Sequence, residues 1–235
     1  MTQPLKFTNR RTALLATASA TSWAAVQNAH AFVRIPKGLM LNLDFESAAY
    51  GLIPSKALYP LFVPQGNLHI NRIKHRNLLL IDPDTGLDIP HSSLLDPNGD
   101  DWIVSIRVFL VSDGLILSQG NDEHGFAIYT KENQVFARVR TGNAAYTLEE
   151  DPGFGITKYR KKWVTIELRI EKGRTVFRLN RKYAAQVSGQ PTLNGEDMRI
   201  RIGMHRKIPG VFQEFHQLST TGFTGAVSSF KIHRQ

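Results

Sequence analysis

The sequence predicts an all-β fold, an antiparallel two-sheet β-sandwich. Three observations predict it. From Leu39 onward, apolar residues recur at alternate positions in short runs, and each run is bounded by Gly, Pro, Asn or Asp. No window carries a convincing stripe at the helical period, and no internal repeat is visible. The chain has 235 residues, of which 42% are hydrophobic and 21% charged. That suits one sandwich of roughly 200 residues after a processed N-terminus.

Met1 to Ala31 reads as a cleavable export signal. Lys6, Arg10 and Arg11 form a positive start, and Thr12 to Val26 is mildly apolar but too short to span a bilayer. Ala29-His-Ala31 supplies the small residues that a signal peptidase reads, so cleavage after Ala31 is expected. Residues 32–235 then form a single domain, periplasmic or extracellular, that begins at Phe32. Asn9-Arg-Arg-Thr-Ala-Leu14 resembles the twin-arginine export signal in its paired arginines and Leu14, while Ala13 and Leu15 depart from it. The route stays open between twin-arginine and general secretory export. No other segment is long and apolar enough for a transmembrane helix. The chain lacks cysteine, which excludes disulfides, thiolate metal sites and a cysteine nucleophile.

The strands follow in order. Leu39, Leu41, Leu43 and Phe45 alternate with Met40, Asn42 and Asp44, as in a half-buried strand. Tyr50 to Pro64 holds three prolines and reads as loop, Leu78 to Ile81 as a short strand, and Asp82 to Asp101 as a long loop. Trp102, Val104, Ile106 and Val108 share one strand face. Gly114 to Ser118 follows, then a hairpin of Gly125–Tyr129 and Gln134–Arg140 around Lys131-Glu-Asn133. Lys162 to Ile170 sets Val164, Ile166, Leu168 and Ile170 against Trp163, Thr165, Glu167 and Arg169. It turns at Glu171-Lys-Gly-Arg174 into Thr175–Asn180. Met198 to Gly203 and Ala226 to His233 close the set, the last after the glycine-flanked Phe223.

The order of these landmarks resembles the laminin-G-like branch of the concanavalin A-like lectin and glucanase superfamily, over residues 39–234. Lys162-Trp-Val-Thr-Ile166 stands where that family has Trp-His-x-Val, with Val164 in place of His. Val176-Phe-Arg-Leu-Asn-Arg-Lys182 stands where it has a Leu-Tyr-Val-Asp-Gly-like element, with Arg181-Lys182 in place of Asp-Gly. The chain is therefore similar to a divergent, exported bacterial member. The resemblance implies a jelly-roll β-sandwich that binds glycan or protein, with Ca2+ at one rim. Asn121 and Asp122 occupy the implied calcium loop, although the later loop, from His205 to Gln217, offers only Glu214.

The residues themselves suggest further sites. Asp96, Asn98 and Asp100 place oxygens at alternate positions, as hard-cation loops do, although Asp-Pro and Asn-Gly are also ordinary turn formers. The formal net charge is +9, and Lys158 to Lys182 holds ten bases against Glu167 and Glu171. Arg138 and Arg140 share one strand face, as do Arg199 and Arg201, and Arg178 lies within the basic run. These five arginines form the expected ligand-binding surface, since guanidinium holds sulfate or carboxylate bidentately. The bland alternative is solvated strand faces. Trp163, on the polar face of its strand, could stack a sugar ring or simply pack.

The expected function is an exported, non-catalytic, carbohydrate- or protein-binding lectin-like sandwich that favours acidic polysaccharide. Nucleic acid is disfavoured, because aromatic residues do not interleave the basic ones. The alternative is a hydrolase or polysaccharide lyase. Hydrolysis needs two carboxylates flanking the bond, and the Glu-x-Asp-x-x-Glu string of the related glucanases does not occur. Lysis would need a base such as Tyr129 or Tyr146 to converge with Arg138 or Arg140.

Overall fold

The computed structural model describes residues 38–47, 69–73, 75–82, 85–92, 95–96, 101–120, 124–141, 144–150, 158–193, 199–203 and 223–235. All of them fall within the unit Lys37–Gln235. The expected leader, its cleavage site and the Tyr50–Pro64 loop lie outside the described residues. The strands are β1 (Gly38–Asp44), β2 (His69–Ile73), β3 (Arg76–Ile81), β4 (Leu87–Ile89), β5 (Trp102–Leu110), β6 (Gly114–Gly120) and β7 (Gly125–Lys131). They continue as β8 (Gln134–Thr141), β9 (Ala144–Leu148), β10 (Trp163–Glu171), β11 (Arg174–Leu179), β12 (Lys182–Ser188), β13 (Ile200–Ile202) and β14 (Gly225–Arg234). A 3-10 turn, Phe45–Ser47, follows β1.

Two antiparallel sheets form the sandwich, as the alternation predicts. The larger, of eight strands, runs β12-β11-β10-β5-β14-β3-β2, with β1 also on β14. The smaller, of six, runs β4-β13-β6-β7-β8-β9. Strand β14 pairs with β5 along its length on one side. On the other side its start pairs with β3 and the rest with β1.

The inner faces come from the expected positions. Trp102, Val104, Ile106 and Val108 of β5 and Val164, Ile166, Leu168 and Ile170 of β10 are all buried. Each such aliphatic side chain stabilises the fold by about 1.5–3 kcal/mol. Phe126, Ile128, Val135, Ala137 and Val139 bury the corresponding face of the smaller sheet. Phe223 is wholly buried beside Gly225. A Cβ at Gly225 would meet the carbonyl oxygen of Phe109 at 2.2 Å and the Phe223 ring at 2.6 Å, so glycine is required there.

Several expectations change. Strands β2, β4, β9 and β12 lie in segments without clean alternation, β4 within the stretch Asp82 to Asp101 expected as loop. Strand β1 is not half-buried: Met40 and Asn42 are interior as well as Leu41 and Leu43, and the register shifts between Leu39 and Leu41. Irregularities of this kind also decide which face several polar residues take. In β14 the register shifts between Val227 and Ser229, so Val227 and Phe230 both turn inward while Ser229 and Lys231 turn outward. In β12 the shift beside Tyr183 keeps both Tyr183 and Gln186 on the outer face, opposite Arg178 and Val176.

Candidate functional site

Among the described residues a concavity lies on the outer face of the larger sheet. It is an open groove of about 540 Å³ built from β5, β10, β14 and the β11–β12 turn. The alternation that buries the aliphatic side of β10 turns Trp163, Thr165 and Glu167 outward. Pairing then aligns the neighbours: Thr165 faces Arg107, which faces Ser229, and Glu167 faces Ser105, which faces Lys231. Side chains paired this way stand about 4.5–5.5 Å apart at Cβ. One compact surface therefore gathers an aromatic ring, several hydroxyls and three cations.

Trp163 is fixed from two sides. It lies directly across from Phe109, the ring centroids 5.6 Å apart and tilted by 55°. The Arg107 guanidinium sits 5.3 Å from the centre of its ring. A stacked guanidinium spends its face and keeps its in-plane N–H donors for another partner.

The third cation, Arg181, comes from a two-residue hairpin loop. Asn180 and Arg181 have φ values of 51° and 67°, between the paired Leu179 and Lys182. Positive φ at both positions marks the tight hairpin turn that usually takes Asn-Gly or Asp-Gly. The loop therefore falls one residue earlier than the alignment of Arg181-Lys182 with Asp-Gly implied. Arg181 takes the position of the glycine and carries a charge there. Asn180 pins the turn, donating its N–H to the Thr165 carbonyl (2.7 Å) and accepting the Thr165 N–H at Oδ1 (2.9 Å). Non-glycine residues with positive φ also occur at other turns, such as His75 and Lys161, so location and not strain marks Arg181.

Glu167 is the one carboxylate among the described residues lining the groove, and it accepts a hydrogen bond from Arg169 Nε. Arg107, Arg181 and Lys231 are exposed, and none makes an ion pair among the described residues. The groove is therefore cationic on balance and offers half of the acid pair that glycoside hydrolysis uses.

The five arginines expected to form the binding surface divide between the two sheets. Arg178, on β11, lies directly opposite Glu167 and borders the groove. Arg138 and Arg140, on β8, are half-buried on the smaller sheet, where Arg138 donates to Thr147 Oγ1 at 2.7 Å. Arg201, on β13, is only 2% exposed. Its Nε is 3.8 Å from Asp88 Oδ1, while Arg199 approaches Oδ2 of the same carboxylate at 3.7 Å. These residues do not make one continuous surface, and Arg201 is interior.

Tyr129 stacks on Phe136 with centroids 5.3 Å apart and shares the outer face of the smaller sheet with Arg138 and Arg140, whereas Tyr146 pairs with inward-facing Val139, on the face opposite Arg138. Of the two tyrosines considered for lysis, Tyr129 therefore lies on the face of Arg138 and Arg140 and Tyr146 does not. Asp44 accepts a hydrogen bond from Ser47, and Glu46 pairs with Arg76.

Of the expected metal ligands, Asp96 is interior at 7% exposure. Its carboxylate meets His91 Nε2 at 3.0 Å and Gln119 Nε2 at 3.4 Å. Asn98, Asp100, Asn121 and Asp122 lie outside the described residues. Among the described residues no three His, Asp or Glu side chains come together, and no helix is long and apolar enough to cross a membrane.

Sequence reasoning isolated Trp163 and the basic run containing Arg181, but not Arg107, Ser229 or Lys231. Their signal is weak: a single outward charge within an otherwise apolar strand. It becomes visible only once β5 and β14 are known to be neighbours.

No family model and no curated protein matches the sequence. Solved structures do. The binding domain of Paraclostridial Mosquitocidal Protein 1 superposes with a TM-score of 0.63 at 10% identity, over 84% of this chain and 49% of that one. A structure of botulinum neurotoxin type C, whose cell entry is described as dependent upon interaction with two ganglioside molecules, gives 0.57 at 12%, over 83% and 47%. The binding domain of botulinum neurotoxin DC in complex with rat synaptotagmin II gives 0.57 at 11%, over 83% and 48%. The chain spans about half the length of the solved structures it matches. At such identity the likeness is one of fold: this chain has the β-sandwich that occurs in these toxin binding domains.

Proposed function

We propose that the protein is an exported, non-catalytic binding sandwich that holds an acidic polysaccharide in the groove of its larger sheet. One observation carries the reading. Three exposed cations without ion-pair partners among the described residues converge with a tryptophan and several hydroxyls on a single groove. Guanidinium and ammonium groups answer sulfate or carboxylate, hydroxyls answer sugar hydroxyls, and an indole answers the apolar face of a sugar ring. The volume falls within the usual range of ligand sites, about 300–1,000 Å³. The positive balance of the whole chain favours the same class of partner.

Other features support it. The leader addresses the chain to a compartment where polysaccharide is met. Two of the solved neighbours are binding domains by name, one of them in complex with rat synaptotagmin II, and a third is tied by name to gangliosides. The ordered landmarks keep kinship with laminin-G-like and concanavalin A-like lectins as the favoured ancestry.

The test is retention on immobilised heparin across a salt gradient, with a neutral glucan as control. Wild-type protein should bind heparin and elute at raised salt, and the triple substitution Arg107→Ala, Arg181→Gly, Lys231→Ala should elute much earlier while staying folded by circular dichroism. Equal retention of the two proteins would overturn this placement of the site.

A further inference from the structure

We infer that the groove is one end of a longer track, which takes a linear polyanionic glycan across the strands and uses Tyr183 as a second aromatic platform. The inference rests on the acidic-glycan reading of the groove and extends it from a pocket to a path.

The register carries it. Lys231 faces Ser105, Ser105 faces Glu167, Glu167 faces Arg178, and Arg178 faces Tyr183. This is one row across β14, β5, β10, β11 and β12. Paired residues in antiparallel strands share a face. Lys231, Ser105 and Glu167 line the groove, so Arg178 and Tyr183 stand on that same outer surface. Strands lie about 4.8 Å apart, so the row measures about 19 Å. That is the length of several sugar units, and more than a single terminal sugar would need.

The chemistry along the row also suits a chain. Lys231 stands at one end, Arg107 beside Trp163 near the middle, and Arg181 on the turn towards Tyr183. Cations therefore recur along the path instead of clustering at one point, which matches a polymer with charge on successive units. Tyr183 is 52% exposed, although large aromatic residues usually bury most of their surface. It is the exposed large apolar side chain that adjoins the groove. The hairpin turn that presents Arg181 also sets Tyr183 opposite Arg178, so one local structure supplies both a charge and a ring.

The experiment measures binding of heparin-derived disaccharide, tetrasaccharide and octasaccharide to the purified protein by calorimetry. Affinity should rise at least ten-fold from disaccharide to octasaccharide. Tyr183→Ala should remove most of that gain and leave disaccharide binding unchanged, and Tyr183→Phe should restore it. Trp163→Ala should weaken every length. Length-independent binding, or an octasaccharide affinity untouched by Tyr183→Ala, would overturn the track and leave the groove standing. Failure of the wild type to bind any length would overturn both.

Discussion

The two outer faces of the sandwich use arginine in opposite ways. On the larger sheet Arg107 and Arg181 are exposed, with no carboxylate partner among the described residues, around a groove. On the smaller sheet Arg201 is buried and shares Asp88 with Arg199. In the sequence Arg107 and Arg201 look alike, as charges on alternating strands. The difference teaches that alternation gives the direction of a side chain and not its accessibility. A guanidinium left in water is available to a polyanion, whereas a buried one is committed to its carboxylate.

The comparison can be broken most forcefully at Arg201. Arg201→Ala should destabilise the fold by about 2–3 kcal/mol, read from urea unfolding, because a large buried side chain is deleted and Asp88 is left with Arg199 alone. Heparin retention of the remaining folded protein should match wild type. A loss of retention with stability intact would move the binding site to the smaller sheet.

Trp163→Ala should act the other way round. Octasaccharide affinity should drop at least ten-fold, about 1.4 kcal/mol. Stability should fall only by about 1–2 kcal/mol, since the side chain is half-buried and loses its Phe109 and Arg107 contacts.

Lys231→Ala should leave stability within about 0.5 kcal/mol of wild type, as is usual for an exposed charge. The dependence of log affinity on log salt should become shallower by roughly one unit, as expected when one cation stops displacing counterions from a polyanion. An unchanged slope would show that Lys231 stays off the ligand.

Arg181→Gly sharpens the contrast at the smallest scale. Positive φ costs a non-glycine residue about 1–2 kcal/mol, and glycine returns roughly 0.5–1 kcal/mol of that through the entropy of the unfolded chain. Unfolding should therefore show unchanged or slightly raised stability, while heparin elution moves to lower salt. Retention equal to wild type would make Arg181 a turn residue only.

Some of this was legible in the chain. The alternation of β5 and β10 identified their inner faces residue by residue, because an aliphatic side chain every second position has one way to leave water. Trp163 was correctly placed on the polar face of its strand. Strands β2, β4, β9 and β12 were not legible, since short or polar segments are held by their neighbours' hydrogen bonds more than by their own pattern. The outward turn of Ser229 and Lys231 was hidden for a related reason. One extra residue in β14 reverses the parity that a reader would carry along the strand.

The sequence by itself determined the all-β class, the two apolar layers and the basic character of the chain, because each follows from local composition and period. Tertiary structure alone decided which cations meet. Arg107, Arg181 and Lys231 lie far apart along the chain, and strand pairing joins them. It likewise decided that Arg201 is interior. Burial depends on what covers a strand face, and that is a property of the assembled layers, not of any strand alone.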